Sequence, residues 1–358
     1  MTELEQRILD IIQDGFPIED RPYAVIGKLV DEDEQTVFEA VEKLRTSGVI
    51  RRIGGVYDTK RLGLVSRLCA GRVPESDRDF DGATDRPQTE LEKFAAVVMD
   101  VPAITHNYVR SHEYNVWFTV IAENEPALQS IVDKLMKVTA LHDVHSMPAK
   151  KMFKINTVMG KAAGSKQESG EIMEHREKME RRGDSGESAG KAVPLSEMDK
   201  ARIRLLSGDL PHSLTPFADL FQGVILSGAK NLETILGEAR ADLTSKRMRR
   251  FGAVLRHQQA GFPCNAMVCF DIGASGEFSM DASAAGAVLA ANPHVSHCYE
   301  RPAFEGFPYN VYGMFHAQSD EELSQFVTEA TATLGNPKYV VLHSVRELKK
   351  TSYKYFTE

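Results

Sequence analysis

The sequence repeats itself once, and the second copy follows the first at a nearly constant distance. Residues 51–56 (RRIGGV) recur as residues 249–254 (RRFGAV), and residues 114–116 (YNV) recur as residues 309–311. The offsets are 198 and 195 residues. A repeat at a nearly fixed period indicates that one structural unit occurs twice. The chain is therefore limited to folds that are made of two similar halves.

Two further blocks extend the repeat across the chain. Residues 101–110 (VPAITHNYVR) correspond to residues 292–301 (NPHVSHCYER) at an offset of 191, and residues 141–146 (LHDVHS) loosely match residues 339–344 (YVVLHS) at 198. Residues 160–193 between the halves are rich in Gly, Ser, Glu, Lys and Arg, with almost no aromatic or β-branched residues. Such a composition buries too little apolar surface to offset the entropy of ordering. We predict a flexible linker there.

Each half divides into a helical part and a β-rich part. Residues 1–60 show 3.6-residue apolar periodicity and end in a strand-like segment, which predicts a winged helix-turn-helix domain. Residues 61–159 follow the order β-α-β-β-α-β, which predicts a ferredoxin-like domain. The same patterns recur over residues 194–258 and 259–358. The predicted fold class is α+β, a tandem repeat of these two domains.

Composition excludes several classes of protein. The chain has 358 residues, a formal net charge of −8 and four cysteines without a CxxC motif. It contains no run of 18 apolar residues, so no membrane span is expected. The first residues, MTELEQRILDII, lack the basic and apolar regions of an export signal. We predict a reduced, cytoplasmic protein without disulfide bonds.

The charge of the predicted recognition helix argues against nucleic acid as a partner. Acidic side chains crowd its start and its exposed positions: Asp31, Glu32, Asp33, Glu34, Glu39 and Glu42. Only Lys43 and Arg45 oppose them. The equivalent stretch of the second half, residues 228–242, has two basic and three acidic side chains. A helix in the major groove needs basic residues near its start, so we expect no binding to nucleic acid.

Polar side chains recur at matching strand positions of the two halves: His106, Tyr108 and Arg110, then His297, Tyr299 and Arg301. Alternation along a strand places each triplet on one face, and such a face is not a core face. The alternative is a half-buried tyrosine with solvated histidine and arginine at a domain edge. Four more arginines recur where the wing meets the sheet: Arg51, Arg52, Arg249 and Arg250. They are either part of the same binding surface or ordinary surface charge.

This combination of domains resembles the Lrp/AsnC family of bacterial and archaeal regulators. Within it, the motifs RRIGG, THNYVR and YNVWFT of the first half, and RRFGAVLRH and HCYER of the second, are closer to the siroheme decarboxylases. In that family two related subunits form a heterodimer or are fused, and this chain resembles the fused form. The resemblance covers both halves apart from the linker. Two segments depart from it: an acidic insertion at residues 75–88 and a longer hairpin at residues 304–308.

The resemblance implies a non-oxidative carbon-carbon lyase. Family members remove two acetate carboxyl groups from siroheme, giving 12,18-didecarboxysiroheme on the way to haem or haem d1. No cofactor is required, because the iron belongs to the substrate. Siroheme and its product are the implied partners, and the two halves are expected to associate as an internal pseudo-dimer, with a cleft lined by both sheets.

The chemistry of the substrate assigns roles to the repeated residues. Loss of carbon dioxide leaves carbanion character that must be quenched by a proton, and histidine titrates in the right range. His106 and His297 are therefore the preferred proton donors, although one of them is instead a candidate ligand of the substrate iron. Tyr108 and Tyr299 are alternative acids or orienting groups. Arginine suits carboxylates, so Arg110 and Arg301 are expected to anchor one, with the other four arginines completing the cage: Arg51, Arg52, Arg249 and Arg250.

Other interpretations and questions stay open on the sequence alone. A tandem transcriptional regulator that senses a small metabolite, or a haem sensor without catalysis, is compatible with the same domains. The sequence does not decide which half is active, the order of the two decarboxylations, the pathway that uses the product, or whether the chain forms a homodimer.

Overall fold

The computed structural model describes residues 1–74, 89–155, 194–227, 230–256, 263–273, 280–350 and 355–356. The chain divides into two compact units, each built from both halves of the repeat. The first unit comprises Met1–Gly63 and Thr157–Gly261, and the second comprises Leu64–Asn156 and Phe262–Glu358. The predicted linker, residues 160–193, and the insertion at residues 75–88 lie outside the described residues. The boundaries predicted for the four domains stay a prediction.

The first unit contains two copies of a helical domain that ends in a strand. The first copy consists of α1 (Glu3–Asp14), α2 (Pro22–Val30), α3 (Glu34–Thr46) and β1 (Ile50–Tyr57). The second consists of α6 (Glu197–Leu206), α7 (Pro216–Leu220), α8 (Gln222–Leu226), α9 (Leu232–Thr244) and β7 (Met248–Leu255). The apolar positions that predicted helices are buried, for example Ile8, Ile12 and Val37. The side chain of Asp33 caps α3, as the acidic start of that helix predicts.

The repeated RRxG motif is explained by the pairing of the two wing strands. Strands β1 and β7 form an antiparallel two-stranded sheet in which Gly54 lies opposite Gly252. A Cβ at Gly54 would meet the carbonyl oxygen of Gly208, and one at Gly252 would meet that of Ile12. Glycine is therefore required in both copies, because the end of a helix from the opposite half lies directly against each strand.

The second unit contains two copies of the predicted β-α-β-β-α-β arrangement, which confirms the fold class. The first copy consists of β2 (Val65–Arg72), α4 (Glu90–Met99), β3 (Ile104–Arg110), β4 (Val116–Ala122), α5 (Glu125–Val138) and β5 (His142–Met147), followed by β6 (Lys151–Ile155). The second consists of β8 (Cys264–Phe270), α10 (Ala282–Ala291), β9 (Val295–Glu300), β10 (Val311–Ala317), α11 (Asp320–Thr333) and β11 (Tyr339–Lys350).

The strands of both copies join into one nine-stranded sheet with the order β5-β2-β4-β3-β11-β8-β10-β9-β6. Strand β11 pairs through Tyr339–His343 with β8 and through its later residues with β3. Strand β6 pairs with β9 of the other copy. Strands β5 and β6 stand at opposite ends of this order, yet only residues 148–150 separate them. Because three residues span at most about 11 Å, the sheet must curve until its two ends approach each other.

Among the described residues of this unit, the arrangement forms three apolar cores. One lies between the first-copy strands and helices α4 and α5, around Phe94 and Phe118. A second lies between the second-copy strands and α10 and α11, around Phe270 and Phe315. The third contains residues from both copies: Ala70, Tyr114, Trp117, Met147, Met267, Cys269, Phe307, Tyr312 and Leu342. We call it the inter-sheet core because it joins the first-copy part of the nine-stranded sheet to the second-copy part, on the strand faces that point away from the helices.

One block of the sequence repeat is wrong in register. The loose match of residues 141–146 to residues 339–344 makes His145 equivalent to His343. In the structure Met147 lies opposite Leu68 on β2, and Leu342 lies opposite Met267 on β8. Met147 is therefore the equivalent of Leu342, and the true offset here is 195 residues, the same as that between β4 and β10.

Candidate active site

Both His-Tyr-Arg triplets lie on strands whose tyrosines share a face with the inter-sheet core. Tyr108 on β3 lies opposite Trp117, and Tyr299 on β9 lies opposite Tyr312. Trp117 and Tyr312 are members of that core. Residues that face each other on paired strands project to the same side. The structure therefore presents the two triplets, at equivalent positions of the two copies, to the space between the sheets.

A β-bulge precedes each histidine. The register on β3 shifts between Ile104 and His106, and the register on β9 shifts in the same way before His297. The extra residue is Thr105 in the first copy and Ser296 in the second. Their hydroxyls contact Nδ1 of the following histidine, at 3.0 Å for His106 and 2.8 Å for His297. Bulges of this kind redirect side chains beside functional sites.

Arg110 is buried, Arg301 is half-buried with its Nε atom inaccessible to solvent, and both bind across the copies. Nη1 of Arg110 donates to the carbonyl oxygen of Leu342 at 2.9 Å, and Nη1 of Arg301 donates to that of Met147 at 2.8 Å. Burial lowers the pKa of Arg110 to about 10 and also lowers the pKa of Arg301. Among the residues that the structure describes, neither guanidinium pairs with a carboxylate, and the Nε atom of each lacks a hydrogen-bond partner. Within the described residues, each therefore carries a cationic charge that no carboxylate neutralises.

The arginines also fix the neighbouring tyrosines. The guanidinium carbon of Arg110 lies 5.2 Å from the ring centre of Tyr108, and that of Arg301 lies 4.8 Å from the ring of Tyr299. Cation–π contacts of this length are attractive, and more so when the cation is desolvated. Arginine and tyrosine therefore act together in both copies. The histidine stands two residues away on the same strand, roughly 6–7 Å along it.

The four wing arginines belong to the other compact unit, where their contacts are with protein. Arg52 donates to the carbonyl oxygen of Gly208, and Arg250 donates to that of Gln13. Arg249 forms an ion pair with Asp58 at 2.8 Å, and Arg51 is half-exposed. Burial lowers the pKa of Arg250 to about 10. These contacts hold strands to helix ends, and a role of the four arginines in substrate binding stays a prediction.

The sequence did not indicate a polar cluster that occurs only in the first copy. The hydroxyl of Tyr114 lies 3.1 Å from Oδ2 of Asp143 and 3.3 Å from Nε2 of His145, which itself lies 2.9 Å from Oδ1 of Asp143. Arg72 pairs with Asp143 through Nε at 3.1 Å. Burial opposes ionisation of Asp143, but the hydrogen bonds from Tyr114 and His145 outweigh it and lower the pKa of this carboxyl.

The longer hairpin of the second copy covers this cluster. The ring of Phe304 stacks on His145 with 3.9 Å between centres and packs edge-on against Tyr114. Phe307 is fully buried and packs against Trp117. Beside the cluster a cleft of about 420 Å³ is lined by Arg72, Val73, Pro74, His112, Glu113, Asn115 and His142. The insertion after Arg301 therefore shapes the surface around the first-copy cluster.

The Tyr-Asn-Val motif has a structural role in both copies. The amide side chain of Asn115 accepts from the backbone N–H of Val73 at 2.9 Å and donates to its carbonyl at 2.8 Å. Asn310 makes the same two bonds to Ile272, each at 2.9 Å. Arg72 is thus equivalent to Asp271. The sheet register likewise makes His145 equivalent to Val340, so the cluster around His145 is not repeated.

Within the described part of the chain, no three or more His, Cys, Asp or Glu side chains are grouped in a way that could hold a metal ion. No described helix is both long and apolar enough to cross a membrane.

Two matches to protein families define the class of the chain. The family of AsnC-like ligand binding domains matches residues 82–154 and 259–349, and the siroheme decarboxylase NirDL-like HTH domain matches residues 5–51. The chain therefore combines a helix-turn-helix domain with two AsnC-like domains, each of which carries a His-Tyr-Arg strand. This combination defines its class, a tandem AsnC-type protein.

Relatives that match the full chain, or one half of it, identify the family. The siroheme decarboxylase of Hydrogenobacter thermophilus is 28% identical over 98% of this chain and 95% of its own length. The siroheme decarboxylase alpha subunit of Desulfovibrio desulfuricans is 39% identical over 43% of this chain and 82% of the subunit. The crystal structure of the siroheme decarboxylase NirDL has a TM-score of 0.68 and 25% identity, over 99% of this chain and 95% of that one. The chain belongs to the siroheme decarboxylase family.

Proposed function

We propose that this chain is a non-oxidative siroheme decarboxylase that removes the carboxyl groups of two acetate side chains to give 12,18-didecarboxysiroheme. The siroheme decarboxylases among its relatives support this activity, which serves haem d1 or alternative haem biosynthesis. A related NirDL structure holds an iron-uroporphyrin III analogue, which supports a porphyrin-like substrate. Both halves of the chain are needed in this proposal, because they act as an internal pseudo-dimer.

The observation that carries the proposal is the pair of buried guanidinium groups at equivalent positions of the two copies. Burying a cation without a counter-charge is costly, as the lowered pKa values of Arg110 and Arg301 show. Siroheme brings eight carboxylates, and an anionic substrate close to these strands offsets that cost. The inter-sheet face therefore attracts a polycarboxylate macrocycle more strongly than a neutral ligand.

The reaction itself requires the transfer of one proton for each acetate. When the carbon–carbon bond breaks, carbon dioxide leaves and the electron pair stays on the methylene carbon, where the macrocycle delocalises it. His106 and His297 deliver the proton that turns each methylene into a methyl group, since the ordinary pKa of a histidine side chain lies close to neutral pH. Tyr108 and Tyr299, held by their arginines, orient the carboxyl group. No added cofactor takes part, because the iron comes with the substrate.

The location and the assembly of the chain are part of the same proposal. A cytoplasmic enzyme fits the reduced cysteines that the sequence predicts. The alternative role of one histidine as ligand of the substrate iron is compatible with the same position on the strand. Arg51, Arg52, Arg249 and Arg250 are proposed as outer contacts to the peripheral carboxylates of the macrocycle.

Anaerobic incubation of the purified protein with siroheme, followed by mass spectrometry of the extracted tetrapyrrole, tests the function. The enzyme produces a species that lacks two carbon dioxide units. Tight binding of siroheme without any loss of mass would instead support a haem sensor. Salt-sensitive binding to duplex DNA, again without loss of mass, would support a regulator.

A further inference from the structure

The hydroxyl next to the second-copy histidine contacts a further imidazole, and the equivalent position in the first copy is an isoleucine. Ser296 occupies the bulge before His297 and is almost fully buried. Its hydroxyl lies 2.8 Å from Nδ1 of His297 and 2.7 Å from Nε2 of His316. A third contact, to the carbonyl oxygen of Met314, is longer at 3.5 Å and correspondingly weak. One serine therefore joins two imidazole rings from neighbouring strands.

A hydroxyl group can hold two imidazoles at once because it donates one proton and accepts through two lone pairs. When His297 is the protonated imidazolium that the reaction requires, Nδ1–H donates to Ser296 and the serine hydroxyl donates to Nε2 of His316. The second proton of the His297 ring is on Nε2, the nitrogen that does not contact the serine. This chain of hydrogen bonds fixes the angle of the ring.

The first copy contains only part of this arrangement. Thr105 contacts Nδ1 of His106 at 3.0 Å, so the bulge and the first hydrogen bond are the same. The sheet register makes Ile121 the equivalent of His316, because Ile121 lies opposite Ser66 and His316 lies opposite Asn265. An isoleucine side chain has no polar atom that could form a hydrogen bond with the threonine. The hydroxyl of Thr105 is therefore not oriented by an imidazole at that position.

We propose that Ser296 and His316 are positioning residues for His297, and that they make the two histidines of the repeat unequal in the reaction. This inference rests on the proposed function of the chain. The ring of His297 presents Nε2–H for transfer and is held by a serine that also bonds His316, whereas the position next to Thr105 that corresponds to His316 is an isoleucine. The two acetates of siroheme are then converted at different rates, and the faster conversion depends on the second copy.

The serine–histidine pair is tested with three substitutions. In S296A the hydroxyl is lost, and in H316I the second imidazole is replaced by the residue of the first copy. In S296T the hydroxyl is kept in the form that the first copy uses. We expect S296A and H316I to slow one of the two decarboxylations by about tenfold to hundredfold, because small displacements of a proton donor cost about this much. KM for siroheme should change less than twofold.

The product distribution and the ring nitrogens of His297 are the decisive readouts. S296A and H316I should accumulate a product that lacks one carbon dioxide unit, while S296T should resemble the wild type. Without siroheme, the ¹⁵N signal of His297 Nδ1 should shift in S296A and stay in place in S296T. T105A, the matched change in the first copy, should leave that signal unchanged.

The two proposals fail in different ways. If the wild type converts both acetates while S296A and H316I retain its rate, product distribution and His297 ring signals, the positioning role is wrong. If the wild type releases no carbon dioxide from siroheme, the proposed function is wrong. In that case an Nδ1 signal that shifts in S296A would still support the hydrogen-bonded pair, and an unchanged signal would overturn it.

Discussion

Arg110 and Arg301 occupy the same position in the two copies of the sheet, and each donates from Nη1 to a backbone carbonyl of the opposite copy. The acceptors, Leu342 and Met147, are themselves equivalent by register. The first copy thus donates to the second, and the second copy donates to the first, through the same kind of contact. The two contacts link the two copies and leave two cationic charges beside Tyr108 and Tyr299.

Replacement of either arginine by glutamine should weaken the binding of siroheme. A hydrogen bond or close contact to a charged group contributes about 1.5–3 kcal/mol, which corresponds to roughly a 10- to 150-fold increase in Kd. Titration of R110Q and R301Q with siroheme measures this directly. R346Q removes an exposed arginine of the same unit and serves as the control. Equal affinity of all three variants would contradict a binding role for the buried pair.

The asparagine of the repeated YNV motif should contribute to stability rather than to catalysis. Asn115 is 4% exposed and satisfies both backbone groups of Val73. In N115A these buried groups lose their partners, so the free energy of unfolding should fall by about 1–3 kcal/mol. Urea denaturation measures the change. In N310A the free energy of unfolding should fall by less, because Asn310 is only half-buried. An N115A variant as stable as the wild type would show that the motif does not have a structural role.

The carboxyl group of Asp143 should make stability depend on pH in the acidic range. Its pKa lies below the usual value in the folded state, so its contribution is complete above the unfolded value of about 3.9 and disappears as the pH falls through the folded pKa. The difference in urea midpoint between wild type and D143N should therefore shrink below about pH 4. A difference that stays constant from neutral to acidic pH would contradict the contacts with Tyr114, His145 and Arg72.

Duplex DNA should not bind to this protein, because acidic side chains outnumber basic ones on helices α3 and α9. Lys43 pairs with Glu5, and Arg45 is buried against the carbonyl oxygen of Leu210. Arg240 on α9 pairs with Glu19 and Glu233. Fluorescence anisotropy at physiological salt should therefore give a Kd weaker than the roughly 10⁻⁴–10⁻⁶ M of ordinary non-specific binding. Micromolar or tighter binding that falls steeply with added salt would contradict this expectation.

The sequence predicted most elements of the fold because their signals are local. The apolar period around Ile8 and Ile12, the acidic cap at Asp33 and the alternation along β3 each lie within one helix or strand. Pairing between β3 and β11, and between β6 and β9, joins edges that are far apart in the chain. Such pairing leaves no local pattern, so the single nine-stranded sheet was not predicted.

The sequence predicted only those residues of the site that occur in both copies of the repeat. His106, Tyr108 and Arg110 stand out because the second copy has the same residues at the same spacing. The cluster of Arg72 and Asp143 was missed because its members come from separate strands and have no counterpart in the second copy. The contacts of Arg52 and Arg250 with backbone carbonyls were also missed, since they depend on helix ends that approach from the opposite half.

The most direct test counts the carbon dioxide released from each siroheme by the wild type, H106A and H297A under anaerobic conditions. We predict two molecules for the wild type and at most one for each single variant, because each histidine supplies the proton for an acetate. Release of two molecules by both variants would contradict the assignment of the histidines. Release of none by the wild type would contradict the function itself.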